Sequence, residues 1–127
     1  MIALALATTT TARSSSFNRW LTCIASAIYW EARGEPQRGR IAVGKVVMNR
    51  VLDSRWPDDA CRVVLQPYQF TWTATKPLYW DRQSLEDARL SLVGSSFRAT
   101  HFHSGPRPTW VSGLRYVTTI GNHHFYK

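Results

Sequence analysis

Cysteines, lysines and acidic residues are all scarce in this 127-residue chain, and each shortage excludes something. Two cysteines, Cys23 and Cys61, cannot make a structural zinc site by themselves. They are compatible with one disulfide, if the protein works outside the cytosol, or with two buried reduced thiols. No run of about 20 apolar residues occurs, so no transmembrane segment is expected. There is neither a His-Glu-x-x-His pattern nor a cysteine cluster, and neither a metal nor another cofactor is expected. Internal repeats are missing, as is low complexity beyond the Ser/Thr-rich start. Eight Asp+Glu stand against sixteen Lys+Arg, a net charge of +8, and the only lysines are Lys45, Lys76 and Lys127. An arginine-rich field of this kind attracts polyanions and favours bidentate contact with carboxylate or phosphate. Six tryptophans provide flat surfaces for sugars or bases.

The length fits one compact domain with one apolar core. Residues 1–16 read as a flexible lead-in. The apolar stretch Ile2–Leu6 is shorter than the ~7–15 residues of a signal peptide and has no basic residue before it. The domain is therefore placed at 17–127. Phe17, Trp20, Leu21, Ile24 and Ile28 follow helical spacing, which predicts a first helix over about 17–33. Gly34 suits a left-handed helix end and Pro36 the first turn of a second helix, over 37–52. Asn49 and Arg50 read as surface residues, with the alternative that Asn49, inside an apolar helix, ties a neighbouring backbone. After a turn at 54–59, residues 60–65 form a short apolar run, helical or extended. Residues 68–73 alternate like a strand. Ser84-Leu85-Glu86-Asp87 resembles a capping box opening a helix that ends at Gly94. All four histidines lie in the last third, with His101 and His103 on one face of a strand.

Glu31 stands out at the end of the first helix. A carboxylate there meets the negative end of the helix dipole among aromatic neighbours, and both effects favour the protonated form. A carboxyl with a raised pKa is what a general acid requires near neutral pH. The plainer reading is a solvated surface glutamate paired with Arg33 or Arg38. The histidines invite a similar choice. His101 and His103 are half of a metal site that His123 or Glu31 would complete, or they are hydrogen-bonding residues of a polar cleft.

Longer motifs decide between these readings. Tyr29-x-Glu31-Ala32-Arg33-Gly34-Glu35-Pro36 is followed by Gly39-x-Ile41-Ala42-Val43-x-x-Val46-Val47-x-Asn49-Arg50-Val51. Further on come Trp56-Pro57-x-x-x-Cys61-x-Val63-Val64, Gln66, Gln69-Phe70-x-Trp72, Thr100-His101-Phe102-His103 and Pro108-x-Trp110. The series closes with Ile120-Gly121-Asn122-His123-x-Phe125-Tyr126. In this order, over about 21–126, the chain resembles the cell-wall hydrolases of the spore cortex-lytic (SleB/CwlJ) type.

The resemblance implies a small α+β, lysozyme-like domain, with a helical lobe and a short β-containing lobe on either side of a cleft. It also implies cleavage of the glycan strand of peptidoglycan, commonly as a lytic transglycosylase, with Glu31 as the catalytic acid/base. Gln69, Phe70 and Trp72 are then expected to line the sugar groove, with His103 and His123 across from Glu31. Glu35 is expected to orient the helix junction, and Phe125 to be core. Two departures are visible. No separate wall-binding domain is expected, and Arg98-Ala99 precedes Thr100 where many relatives read Gly-Ala. Together with the expected lack of a signal peptide, the positive charge suggests a phage endolysin. It would be a monomer held in the host cytoplasm until released to the periplasm and wall, with electrostatic contact to lipopolysaccharide or anionic wall polymers. If not phage-encoded, it would be exported to the cell wall. The competing readings are muramidase hydrolysis at the same bond, a metal-dependent amidase, and a basic, aromatic-rich nucleic-acid-binding module without catalysis.

Overall fold

The computed structural model describes the backbone of residues 2–127 and the side chains of residues 16–127. Its helices are α1 (Ile2–Ala32), α2 (Gln37–Val51), α3 (Ala60–Val64) and α4 (Arg82–Ser91). A small sheet follows: β1 (His101–His103), β2 (Tyr116–Ile120) and β3 (His123–Tyr126). Short 3-10 turns at Thr71–Ala74 and Thr109–Val111 complete the elements. The fold is α+β, a helical lobe facing a three-stranded one, as the motifs imply.

The apolar stripe of α1 and the β-branched run of α2 form the core. Ile24, Ile28, Val43, Val46, Val47, Val63, Val64 and Phe125 are fully buried. Each such side chain contributes about 1.5–3 kcal/mol. α2 passes close to both α1 and α4 at Gly44, where a Cβ would lie 2.7 Å from Ser91 and 3.1 Å from Ile28. α4 is also anchored by charge. Asp87, fully buried, accepts from Arg40 Nε at 2.6 Å, and Arg40 Nη1 donates to the Glu35 carbonyl at 2.7 Å. One pair of contacts thus fixes the α1–α2 junction against α4. Cys23 and Cys61 are joined in a disulfide that ties α1 to α3.

The sheet runs in the order β1-β3-β2, both pairs antiparallel. Phe102 faces Phe125 and His103 faces His124 across β1 and β3. β2 and β3 turn tightly at Gly121-Asn122, where Gly121 has φ +58°. A glycine at the first position of a two-residue hairpin loop supplies that conformation without strain. Asn49 bridges the lobes, its Nδ2 donating to the Phe97 and Ala99 carbonyls at 3.1 and 2.9 Å.

Several expectations are corrected. The first helix begins at Ile2, so helical backbone extends through the lead-in placed at 1–16. Alanine and leucine fill its first turns, and both are good helix formers. Gly34 is not among the positive-φ residues, because the junction closes through a turn in which Glu35 N–H donates to the Ala32 carbonyl at 2.9 Å. Residues 68–73 are not a strand. Tyr68 has φ +67°, and the chain then coils into the 3-10 turn, with Thr73 Oγ1 donating to the Phe70 carbonyl at 2.8 Å. Its aromatic alternation buries Phe70 and Trp72 against neighbouring elements without a partner strand. The capping box of α4 is Asp81 with Ser84, one turn earlier than expected, and the helix stops at Ser91. Asp81 accepts from Ser84 N–H at 2.8 Å while Ser84 Oγ accepts from Asp81 N–H at 3.0 Å.

Candidate active site

Glu31, one residue from the end of α1, opens into a cleft of about 290 Å³ between the two lobes. Arg50 of α2 and Gln69, Phe70 and Thr71 line it from the helical side. Phe102, His103, Ser104 and His123 line it from the sheet. The helix junction is what places Glu31 there, because α1 stops just after it and α2 leaves in a new direction.

Burial holds the Glu31 carboxyl up at about 7. Among the described residues nothing donates a hydrogen bond to it or pairs with it, so the desolvation is uncompensated. Glu35 has the opposite environment. Asn122 donates to both of its oxygens, from the backbone at 2.7 Å and from Nδ2 at 3.0 Å, with His123 Nδ1 at 3.9 Å. These contacts, the backbone donor first, hold its carboxyl below the usual range. Two glutamates four residues apart are therefore driven in opposite directions, and only Glu31 lines the cleft.

Two of the histidines, His123 and His101, are tuned toward the neutral form. Burial lowers His123, an effect that Glu35 partly opposes. Burial, followed by the charges of Arg50 and Arg55, lowers His101 to about 4. His103 shares a hydrogen bond at 3.0 Å with the Tyr126 hydroxyl, and His101 one at 3.0 Å with Thr100 Oγ1. The Nδ1 atoms of His103 and His123 are buried with no partner among the described residues. Among the described residues no three His, Cys, Asp or Glu side chains are arranged to hold a metal ion.

Four of the expected groove residues, Gln69, Phe70, His103 and His123, lie with Glu31 on the cleft wall. Trp72 does not. It is 8% exposed and stacks on Trp30 at 6.3 Å between ring centres, behind Phe70. Phe125 is core, as expected, but Trp110 is 48% exposed. Arg50 is the main residue that sequence reasoning missed. It is 5% exposed and donates to the Thr100 carbonyl at 2.7 Å and to Gln69 Oε1 at 3.2 Å. Its place in an otherwise aliphatic helix face was the available signal, since an arginine there either snorkels or finds partners.

A helical lobe and a small sheet facing each other across one desolvated carboxyl define a lysozyme-like domain. Residues 34–126 match the Cell Wall Hydrolase family, and the chain belongs to it. Among curated relatives, the spore cortex-lytic enzyme of Bacillus subtilis (strain 168) is 29% identical over 114 residues, covering 85% of this chain and 37% of the relative. That of Halalkalibacterium halodurans is 33% identical over 109 residues, covering 80% of this chain and 33% of the relative. The chain thus spans about a third of the length of the curated relatives it matches. Two solved structures share the fold at 25% identity. The catalytic domain of the germination-specific lytic transglycosylase SleB from Bacillus anthracis superposes with a TM-score of 0.77, over 85% of this chain and 93% of that one. The catalytic domain of the Bacillus cereus SleB protein gives 0.78, over 87% and 91%. The family match begins at Gly34, just after Glu31, so the case for that residue rests on its surroundings.

Proposed function

We propose that this chain cleaves the glycan strand of bacterial peptidoglycan, at the β-1,4 bond between N-acetylmuramic acid and N-acetylglucosamine, by lytic transglycosylation. The observation that carries the reading is Glu31, the one carboxyl lining the cleft, held by burial at about 7 and so half protonated near neutral pH.

In the first step Glu31 donates its proton to the glycosidic oxygen as the C1–O bond breaks toward an oxocarbenium-like transition state. The carboxylate left behind then accepts the proton of the muramic C6 hydroxyl, and that oxygen bonds to C1. The product is a 1,6-anhydro end, and Glu31 is protonated again. No water is consumed. A two-carboxylate glycosidase needs a second acid about 5–10 Å from the first. Glu35 is a poor candidate, because Asn122 engages both of its oxygens. Muramidase hydrolysis at the same bond would instead require a water held opposite Glu31.

Gln69, held by Arg50, is assigned to hydrogen-bond the sugar, and Phe70 to pack against it. His103 and His123, which line the cleft opposite Glu31, are assigned to contact hydroxyl or acetamido groups of the sugar. Trp72 supports Phe70 from behind. The net charge of +8 favours approach to an anionic wall, and the setting we propose is host lysis by a phage-encoded enzyme. Clearing of purified peptidoglycan suspensions tests the activity. Wild type is expected to clear them and Glu31→Gln is not; clearing by both would remove Glu31 from the mechanism.

A further inference from the structure

Beside the cleft lies a second aromatic surface. Trp110 packs at 5.9 Å from His101, 6.0 Å from His103 and 6.5 Å from Tyr126, measured between ring centres. These rings form a bed beneath it, and about half of Trp110 remains in solvent. Trp56 continues the surface, edge-on to His101 at 5.7 Å. Both ends reach the cleft, because His103 and Arg50 line it, and Arg50 lies 5.3 Å from the Trp56 ring.

The loop that carries Trp110 is held firmly. Pro106 and Pro108 restrict its backbone, Val111 is buried beside it, and Ser112 N–H closes the 3-10 turn on the Thr109 carbonyl at 3.1 Å. A large indole is thus kept half in water, on a rigid turn next to the cleft.

The geometry points to a saccharide subsite: Trp110, with Trp56 and His101, takes a pyranose ring of the glycan strand one position beyond the sugars held in the cleft. This rests on the glycan-cleaving reading of that cleft. The alternative ligand for stacked aromatics is a nucleic-acid base, which needs a cation for its phosphate. On the aromatic surface itself the cations are engaged, and the exposed Arg107 of the Trp110 loop is the cation that the oligothymidylate arm of the test probes. Arg55, 4.6 Å from the Trp56 ring, is committed to Asp53 by hydrogen bonds of 3.0 and 2.9 Å, and His101 is uncharged near neutral pH. Arg50 is turned inward to Thr100 and Gln69. A half-exposed indole held on a rigid turn suits the apolar face of a sugar ring.

The test uses the full chain carrying Glu31→Gln, so that nothing is turned over, titrated with N-acetylglucosamine oligomers while the Trp110 indole N–H resonance is followed. That resonance should move with hexamer and stay still with dimer. Trp110→Ala added to Glu31→Gln should weaken hexamer binding about tenfold and leave dimer binding unchanged, whereas Trp110→Phe should keep most of the affinity. On peptidoglycan, Trp110→Ala alone should raise KM with kcat nearly constant. Equal hexamer affinity with and without Trp110, or movement of the resonance with oligothymidylate in place of sugar, would overturn the subsite. The two readings fail separately. Wall cleavage with an unaltered KM in Trp110→Ala removes the subsite and keeps the reaction. Hexamer binding with no wall cleavage by wild type removes the reaction and keeps the subsite.

Discussion

Asn122 grips Glu35 with both of its N–H donors, the backbone amide on Oε1 at 2.7 Å and the side-chain amide on Oε2 at 3.0 Å. This latch crosses from the α1–α2 junction, which carries Glu31, to the β2–β3 turn, which carries His123. The distance between the acid and the opposite wall of the cleft is therefore set by a contact at neither.

Breaking the latch should loosen the site and the fold together. Asn122→Ala or Glu35→Ala is expected to cost about 1–3 kcal/mol, since either leaves a polar group without its partner. Gly121→Ala should do comparable damage, as its Cβ would collide with the Glu35 carboxylate at a φ of +58°. The Glu35 pKa is depressed, so its contribution is present above the ordinary value of 4.5 and fades as pH falls through the folded value. Urea unfolding at neutral and acidic pH checks this: Glu35→Gln should remove that part of the acid sensitivity.

Glu31 has the reverse sign. Its pKa rises from 4.5 to about 7, so the folded state binds the proton more tightly than the unfolded chain does. Stability conferred by the protonated carboxyl is complete below pH 4.5, falls between 4.5 and 7, and is gone above. Glu31→Gln should therefore abolish activity yet stabilise the fold above pH 7, by about 2–3 kcal/mol after allowing for partial exposure of the carboxyl. Thermal melts at pH 8 and pH 4 provide the readout, and the gain should vanish at the lower pH. In wild type, kcat/KM should decline as pH rises through about 7, because the first step needs the protonated form.

The Cys23–Cys61 bridge closes a separation of 38 residues between α1 and α3. Chain entropy puts such a loop at about 2–4 kcal/mol. Reduction, or Cys23→Ser with Cys61→Ser, is expected to lower Tm without changing the pH dependence of activity, since neither sulfur lines the cleft. An unchanged Tm after verified reduction would assign the helix pairing to apolar packing alone.

The sequence made the helical lobe readable because its signals are local. The spacing of Leu21, Ile24 and Ile28, and the β-branched face of α2, report burial directly. The place of Glu31 at a helix end before a junction was legible for the same reason, although spacing alone left a solvated surface glutamate open. What failed depended on partners distant in the chain. Arg50 reads as surface until Thr100 and Gln69 arrive from other elements. Trp72 alternates like a strand residue, but Trp30 on α1 decides where its ring goes. The capping box slipped by a turn because Asp81 and Ser84 satisfy the helix end together, which no single residue announces.

The most direct measurement is mass spectrometry of the soluble fragments released from purified peptidoglycan by wild type and by Glu31→Gln. The expected result is fragments ending in 1,6-anhydro-N-acetylmuramic acid from wild type, and none from the variant. Fragments with reducing ends would contradict the single-carboxyl transfer and make water the acceptor. Anhydro fragments from both proteins would show that Glu31 is not the acid.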